Sequence, residues 1–294
     1  MASPGNIPVP VLLSVDLEDV RSMIPNGHQF ADRIARNVDQ IVSTLSAFNV
    51  RCTFFVTGDI ARRYPRLVSD IQACGHEIAC HSDGHAPLEH LDPREFREDL
   101  QRNLEALHRA GIDSVVGYRA PTLSMTPATT WAYEVLASLG FTYSSSVLPS
   151  RNPLFGWPGH RRRPVWRAEG VWEIPVSLTD IPLLDVPYAS GVYFRVLPYT
   201  IIKLCWRRHL ARGHAIVGYL HLHDFDEGQE HFMHPGLNDS VVLNGLMYLN
   251  RKRALPRLTG LLQASDAPVW TFQRFECALS QLADSGSTDP CAPA

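Results

Sequence analysis

Gly75-His76-Glu77-Ile78-Ala79-Cys80-His81-Ser82-Asp83-Gly84-His85 changes character at its midpoint. His76 to Cys80 has the make-up of a short buried strand, and His81 and His85 leave its C-terminal end. Two imidazoles four residues apart can meet on one face of a helical turn, close enough for one metal ion to take both. In α/β folds the C-terminal ends of strands are where ligand sites gather. By itself the pair also describes two solvated loop histidines, so a third ligand and the surrounding strand pattern must decide.

That pattern alternates. Val11 to Val15 is an apolar run ending at Asp16, followed by a helical periodicity over 32–48 with Ile34, Val38, Ile41, Val42 and Leu45 on one face. Cys52 to Val56 reads as a second strand closed by Gly58, and 64–74 as a helix ended by Gly75. Asp92-Pro93-Arg94-Glu95 opens a helix with a capping aspartate and proline at its first position. Val115 to Tyr118 is a strand leading into Arg119. Further strands are expected at 141–147, 171–176, 215–220 and 269–272, with helices from Thr126, Pro198 and within 238–263. Residues 150–167 read as a long irregular loop, and the segment from Ala283 as a disordered tail. Strands alternating with helices favour a parallel sheet wrapped by helices, most simply one α/β barrel domain over 1–282.

The composition is compatible with that. The chain has 294 residues, a formal net charge of -3 and 45% hydrophobic residues. The near-neutral balance gives no reason to expect a nucleic acid partner. No apolar run reaches the roughly 18 residues that span a bilayer, and the start lacks a charged segment before a long apolar one. The six cysteines show no C-x-x-C spacing and read as reduced, which fits a cytoplasmic protein. Cys80 reads as a buried strand thiol, with a soft metal ligand as the rival reading.

Polar groups stand at the strand ends with regularity: Asp16-Leu17-Glu18-Asp19, then His81 and His85, then Arg119, then His221 and His223. In a barrel these ends converge on one face. Two histidines and a carboxylate, with positions left for water, suit a hydrolytic metal. A second carboxylate can serve as general base and a histidine across the site as general acid. Taken singly, the acidic run is a solvated turn, Arg119 a carboxylate partner or surface residue, and only one of His221 and His223 need face the site.

With these motifs in order, the sequence resembles the polysaccharide deacetylase superfamily, the NodB-homology or carbohydrate esterase family 4 group, from about Val11 to Phe275. The resemblance rests on residues 14–19, 53–56, 75–78, 81–85, 117–121, 172–175 and 219–221. The acidic motif is similar to the variant in deacetylases of bacterial surface-polysaccharide loci. The resemblance implies a distorted (β/α) barrel holding one divalent metal, usually Zn2+. It implies Asp16 as general base, His81 and His85 as metal ligands, Arg119 as the group that holds Asp16, His221 as the proton donor to the leaving amine, and a backbone amide for the oxyanion. Leu17 stands where the compact family motif has its metal carboxylate, so the third ligand is Glu18 or Asp19, and the reading favours Asp19. His221 is favoured over His223 as general acid. Glu173 is a stand-in for the acid that braces the arginine.

Trp157 and His223 are candidate substrate contacts. His231 and His234 read as loop residues. The stretch 203–212 reads as a barrel helix or as a basic helix touching a membrane surface. The expected function is removal of an acetyl group from an N-acetylated amino sugar by metal-activated water. The expected substrate is a nucleotide-linked or lipid-linked precursor of a surface polysaccharide such as O-antigen. Two rivals are a metal amidohydrolase acting on a formamide or a cyclic imide of the allantoin kind, and a degenerate sugar- or partner-binding barrel.

Overall fold

The first strand shows how this chain sorts its residues. In β1 (Val11–Leu17) Leu12, Ser14 and Asp16 fall on one face of the sheet, and Val11, Leu13, Val15 and Leu17 on the other. The first set joins Phe55, Ala79, Tyr143, Trp172 and Val217 in the interior, and the second packs under the helices. A computed structural model describes residues 8–152, 155–181, 184–237 and 239–284. The remaining strands are β2 (Thr53–Val56), β3 (Glu77–Cys80), β4 (Gly117–Tyr118), β5 (Tyr143–Ser144), β6 (Val165–Trp166), β7 (Trp172–Glu173), β8 (Ile216–His221) and β9 (Val269–Trp270). The helices are α1 (Ile34–Ala47), α2 (Gly58–Arg63), α3 (Pro65–Ala73), α4 (Pro93–Arg109), α5 (Ala132–Ser138), α6 (Gly191–Val196), α7 (Tyr199–Ala211), α8 (Val241–Tyr248), α9 (Ala254–Gln263) and α10 (Phe272–Asp284).

One sheet runs in the order β6-β7-β5-β4-β3-β2-β1-β8, with β9 also on β1. Its pairings are parallel except β6 with β7. The sheet curls until the segment after β7 meets β8: the Ser177 N–H donates to the Val217 carbonyl at 3.0 Å, and the Val217 N–H to Ser177 Oγ at 2.9 Å. The result is the expected distorted (β/α) barrel in an incompletely closed form. Register then places the chemistry, because Asp16 is the lateral partner of Phe55 on β2 and of His221 on β8.

The capping signals at α4 hold: Asp92 accepts from the Arg94 and Glu95 N–H groups, and Glu95 accepts in return from Asp92. Elsewhere tertiary contacts override the local pattern. Gly58 does not merely close a strand; Thr57 caps α2 from its side chain, with Asp59 in the first turn. The expected strand 269–272 is shortened, since Thr271 Oγ1 accepts from Arg274 and the Phe272 N–H donates to Thr53 Oγ1, starting α10. β6 lies in the stretch expected to be irregular. Ala283 and Asp284 of the expected tail belong to α10, and 285–294 lie outside the described residues. α7 is a packed barrel helix that buries Ile202, Cys205 and Trp206, with Arg208 and Arg212 both paired to Asp180.

Glu173 corrects another expectation. It does not brace Arg119; its Oε1 accepts from the Ser146 and Val147 N–H groups at 2.8 and 3.0 Å, and its Oε2 from the Tyr133 hydroxyl at 3.1 Å. Glu173→Ala strands two buried N–H donors and a phenol, so urea unfolding of this variant should show a loss of about 2–4 kcal/mol.

Candidate metal and catalytic centre

β1, β3, β4 and β8 deliver their C-terminal residues to one end of the curled sheet. His81 follows β3 and is buried, and His85 lies four residues on with its ring 5.1 Å away. The pair meets across an irregular loop and not on a helical turn, because Ser82 and His85 take left-handed backbone at φ 68° and 57°. α4 holds that loop. Asp99 accepts from the Asp83 and Gly84 N–H groups, and Asn103 Nδ2 donates to the carbonyls of Ser82 and Val56. Neither residue stood out in the sequence, because both read as ordinary polar helix positions.

Glu18, not Asp19, faces the two histidines. Its Oε2 is 2.6 Å from His85 Nε2 and 3.6 Å from His81 Nε2. Asp19 is turned into a basic cluster: Arg21 and Arg63 donate to its two oxygens at 2.7–3.0 Å, and it caps the turn at Val20–Met23. The reason is the two-residue period of an extended strand, which keeps position 18 on the face of Asp16 and sends 19 to the other side. The sequence held that signal.

The donor set fits a divalent metal. Glu18, His81 and His85 each offer an atom within 4.8 Å of the others. Glu18 Oε2 is buried without an aligned hydrogen-bond donor. His81 Nδ1 lies 2.9 Å from the Arg119 carbonyl. A carbonyl only accepts, so Nδ1 carries the proton and the Nε2 lone pair faces Glu18. Lone pairs of nitrogen and oxygen turned on each other call for a cation between them, and the outer hydrogen bond is the kind that orients a metal-binding imidazole. Burial disfavours the Glu18 carboxylate, but the neighbouring imidazoles, His85 foremost, hold its pKa well below the usual range. Cys80 lies in the apolar cluster beneath β4, where burial pushes its thiol well up, away from a ligand's role.

Beside the triad, Arg119 Nη1 donates to Asp16 Oδ1 at 2.6 Å and to Ser14 Oγ at 2.6 Å. Its Nε and Nη2 donate to the carbonyl and hydroxyl of Ser145, both at 3.0 Å. Asp16 Oδ2 is left 3.9 Å from His221 Nε2. His221 Nδ1 is 3.1 Å from Asp224 Oδ2, and Asp224 Oδ1 accepts from Arg195 Nε at 2.7 Å with both groups fully buried. Burial works against the His221 imidazolium, yet the hydrogen bond to Asp224 and the charges of Glu18, Asp224 and Asp16 push its pKa up to about 9. His223 stacks on His221 at 4.6 Å. Burial first, then the neighbouring positive charges of His221 and Arg251, hold it well below 6.5. The two rings are thus driven apart, His221 towards the protonated form and His223 towards the neutral one, an arrangement that suits His221 to proton donation.

His223, expected at the substrate, is 8% exposed and lies between His221 and His234, so it backs the catalytic ring instead of lining the cleft. Trp157 packs on His160 at 4.7 Å and against the cluster beneath β4. A second cluster, His221, His223 and Asp224, does not suit a metal, because both Asp224 oxygens already accept from Arg195 or His221. Asp224 and Arg195, which hold His221 in place, are members of this cluster that sequence reasoning missed. The signal for Asp224 was its place three residues after a strand-terminal histidine.

Residues 19–144 match the family described as Polysaccharide deacetylase, and residues 145–274 a Domain of unknown function (DUF3473). The junction falls at the end of β5, inside the one sheet. A Peptidoglycan-N-acetylglucosamine deacetylase of Bacillus cereus is 33% identical over 70 residues, 24% of this chain and 26% of that protein. A Chitooligosaccharide deacetylase of Bradyrhizobium is 28% identical over 98 residues, 33% of this chain and 42% of that protein. The matched segments therefore span well under half the length of these relatives. Among solved structures, a putative polysaccharide deacetylase from Mycobacterium smegmatis superposes with TM-score 0.62 at 21% identity, over 100% of this chain and 98% of that one. The Puue allantoinase gives TM-score 0.61 at 15% identity, over 94% and 91%. Both show the fold. Residues 19–144 are thus similar to the Polysaccharide deacetylase family and to curated deacetylases.

Two predictions separate these residues. Glu18→Ala should lose bound metal by elemental analysis, whereas Asp19→Ala should retain it at wild-type stoichiometry. His221 donates while protonated, so the rate should fall as pH rises through about 9. Asp224→Asn removes the strongest interaction raising that pKa, and the alkaline limb of kcat/KM should move to lower pH.

Proposed function

We propose that this chain is a metal-dependent hydrolase that removes the acetyl group from an N-acetylated amino sugar. The observation that carries the proposal is Asp16, clamped by Arg119 on one oxygen and 3.9 Å from His221 on the other, beside the Glu18, His81 and His85 donors. A divalent cation on those donors, with Zn2+ suited to two imidazoles and a carboxylate, would acidify a water and polarise the acyl oxygen. The chain's own residues do the rest. Arg119 occupies Asp16 Oδ1 and leaves Oδ2 to take the proton of the attacking water. The water oxygen bonds to the acyl carbon, and His221 Nε2 gives its proton to the nitrogen as the C–N bond breaks. Acetate and a free amine leave, and the proton on Asp16 returns to His221 across the short gap. Asp224 and Arg195 hold His221 in the tautomer and orientation that this requires.

We infer a precursor of a surface polysaccharide, nucleotide-linked or lipid-linked, as the substrate, handled in the cytoplasm. Among the described residues no helix is long and apolar enough to cross a membrane. The test is mass-spectrometric detection of deacetylated product from N-acetylchitooligosaccharides, N-acetylated nucleotide sugars and lipid-linked amino sugars, with allantoin and a formamide as comparators. Asp16→Asn and His221→Ala should each cut turnover by about 10²–10⁴-fold. Chelation should abolish it and Zn2+ restore it. Turnover of allantoin or the formamide alone would overturn the assignment.

A further inference from the structure

α8 is built inside out. A surface helix ordinarily turns its apolar stripe to the core and its polar side to water. Here the polar side chains face inward: Asn244 accepts from the His234 N–H and donates to the Phe232 carbonyl. The Tyr248 hydroxyl accepts from the Phe232 N–H. The outward face carries Val241, Val242, Leu246 and, just past the last turn, Leu249, exposed by 78%, 77%, 36% and 46%. With Leu243 they make five of the seven exposed large hydrophobics among the described residues. No charge interrupts 241–250, and exposed Lys252 and Arg253 follow directly. The 232–234 loop that Asn244 grips also lines a groove of about 370 Å³, with Ile24, Phe30, Leu237 and Asp239 around it and His234 in its wall. That ring touches His223, which stacks on His221.

We propose that α8 and this groove form a docking surface for an anionic bilayer, in which the outward valines and leucines enter the acyl region and Lys252 and Arg253 meet the headgroups. Exposed apolar patches of this kind mark interaction sites. The face has aliphatic side chains and lacks the tryptophan and arginine anchors that dominate protein interfaces, while a basic flank complements anionic lipid. α8 is also joined to the catalytic centre. Arg195, which holds Asp224, donates through Nη1 to the carbonyls of Leu246 and Leu249 at 3.3 and 2.6 Å. A bilayer on α8 thus brings the site to sugars carried on membrane lipid. That consequence, though not the docking, rests on the deacetylase reading.

Sedimentation of the full chain with vesicles of phosphatidylglycerol and phosphatidylcholine tests the surface. Wild type should bind the mixed vesicles more tightly than pure phosphatidylcholine. Val241→Asp with Val242→Asp should weaken binding at least tenfold, and Lys252→Glu with Arg253→Glu about fivefold per charge at low salt. Both variants should keep the wild-type melting temperature and wild-type turnover of a water-soluble N-acetylchitooligosaccharide, so failure to bind lipid is read separately from failure of catalysis. Wild type that ignores both vesicles would overturn the proposal. So would a wild-type dimer in light scattering that the Val241→Asp, Val242→Asp variant converts to monomer, since a second copy would then cover the face.

Discussion

The guanidinium of Arg119 sits fully buried in the mouth of the barrel, and the arrangement of the site depends on satisfying it. A charge taken out of water is tolerated only when nearly every N–H finds an acceptor. Here Ser14 and Asp16 of β1 and Ser145, just past β5, supply them. The ring of Phe55 lies 4.0 Å beneath the guanidinium, and Tyr219 and Phe272 close around it. One side chain therefore ties together residues from β1, β2, β5, β8 and α10. The Arg119 carbonyl meanwhile fixes the His81 ring, so the same residue orients Asp16 and the His81 imidazole.

A second buried arginine extends that logic outward. Arg195 satisfies Asp224 on its catalytic side and the last carbonyls of α8 on the other. The charge that steadies His221 is thereby anchored to a helix whose polar residues are all spent inward. The outward apolar face follows from this inversion: once Asn244 and Tyr248 are committed to the 230–234 loop, only valine and leucine remain for the surface.

Much of the site could be read locally. Asp16, His81, His85, Arg119 and His221 all stand at strand ends, and parallel strands of a curled sheet must bring those ends together. The misreadings share a cause. The sequence reading favours Asp19 over Glu18, although the strand's own two-residue period carries 18 onto the face of Asp16. Glu173, the stand-in for the acid that braces the arginine, is spent on the N–H groups of Ser146 and Val147. Asp99 and Asn103 were invisible, since a polar residue on a helix reads as solvated until a loop is laid against it.

The sequence by itself determined the alternation of strands and helices and the identity of the groups at the strand ends, because periodicity, capping and the types of side chain are local properties. The tertiary structure alone decided how those groups are used. Arg63 of α2 closes on Asp19, Arg195 orients Asp224, and the 230–234 loop turns α8 around. Each of these rests on a hydrogen bond or ion pair whose partner is fixed by the curl of the sheet and the docking of a loop, and electrostatic partners in a buried site are set by distance in space, which spacing along the chain does not encode.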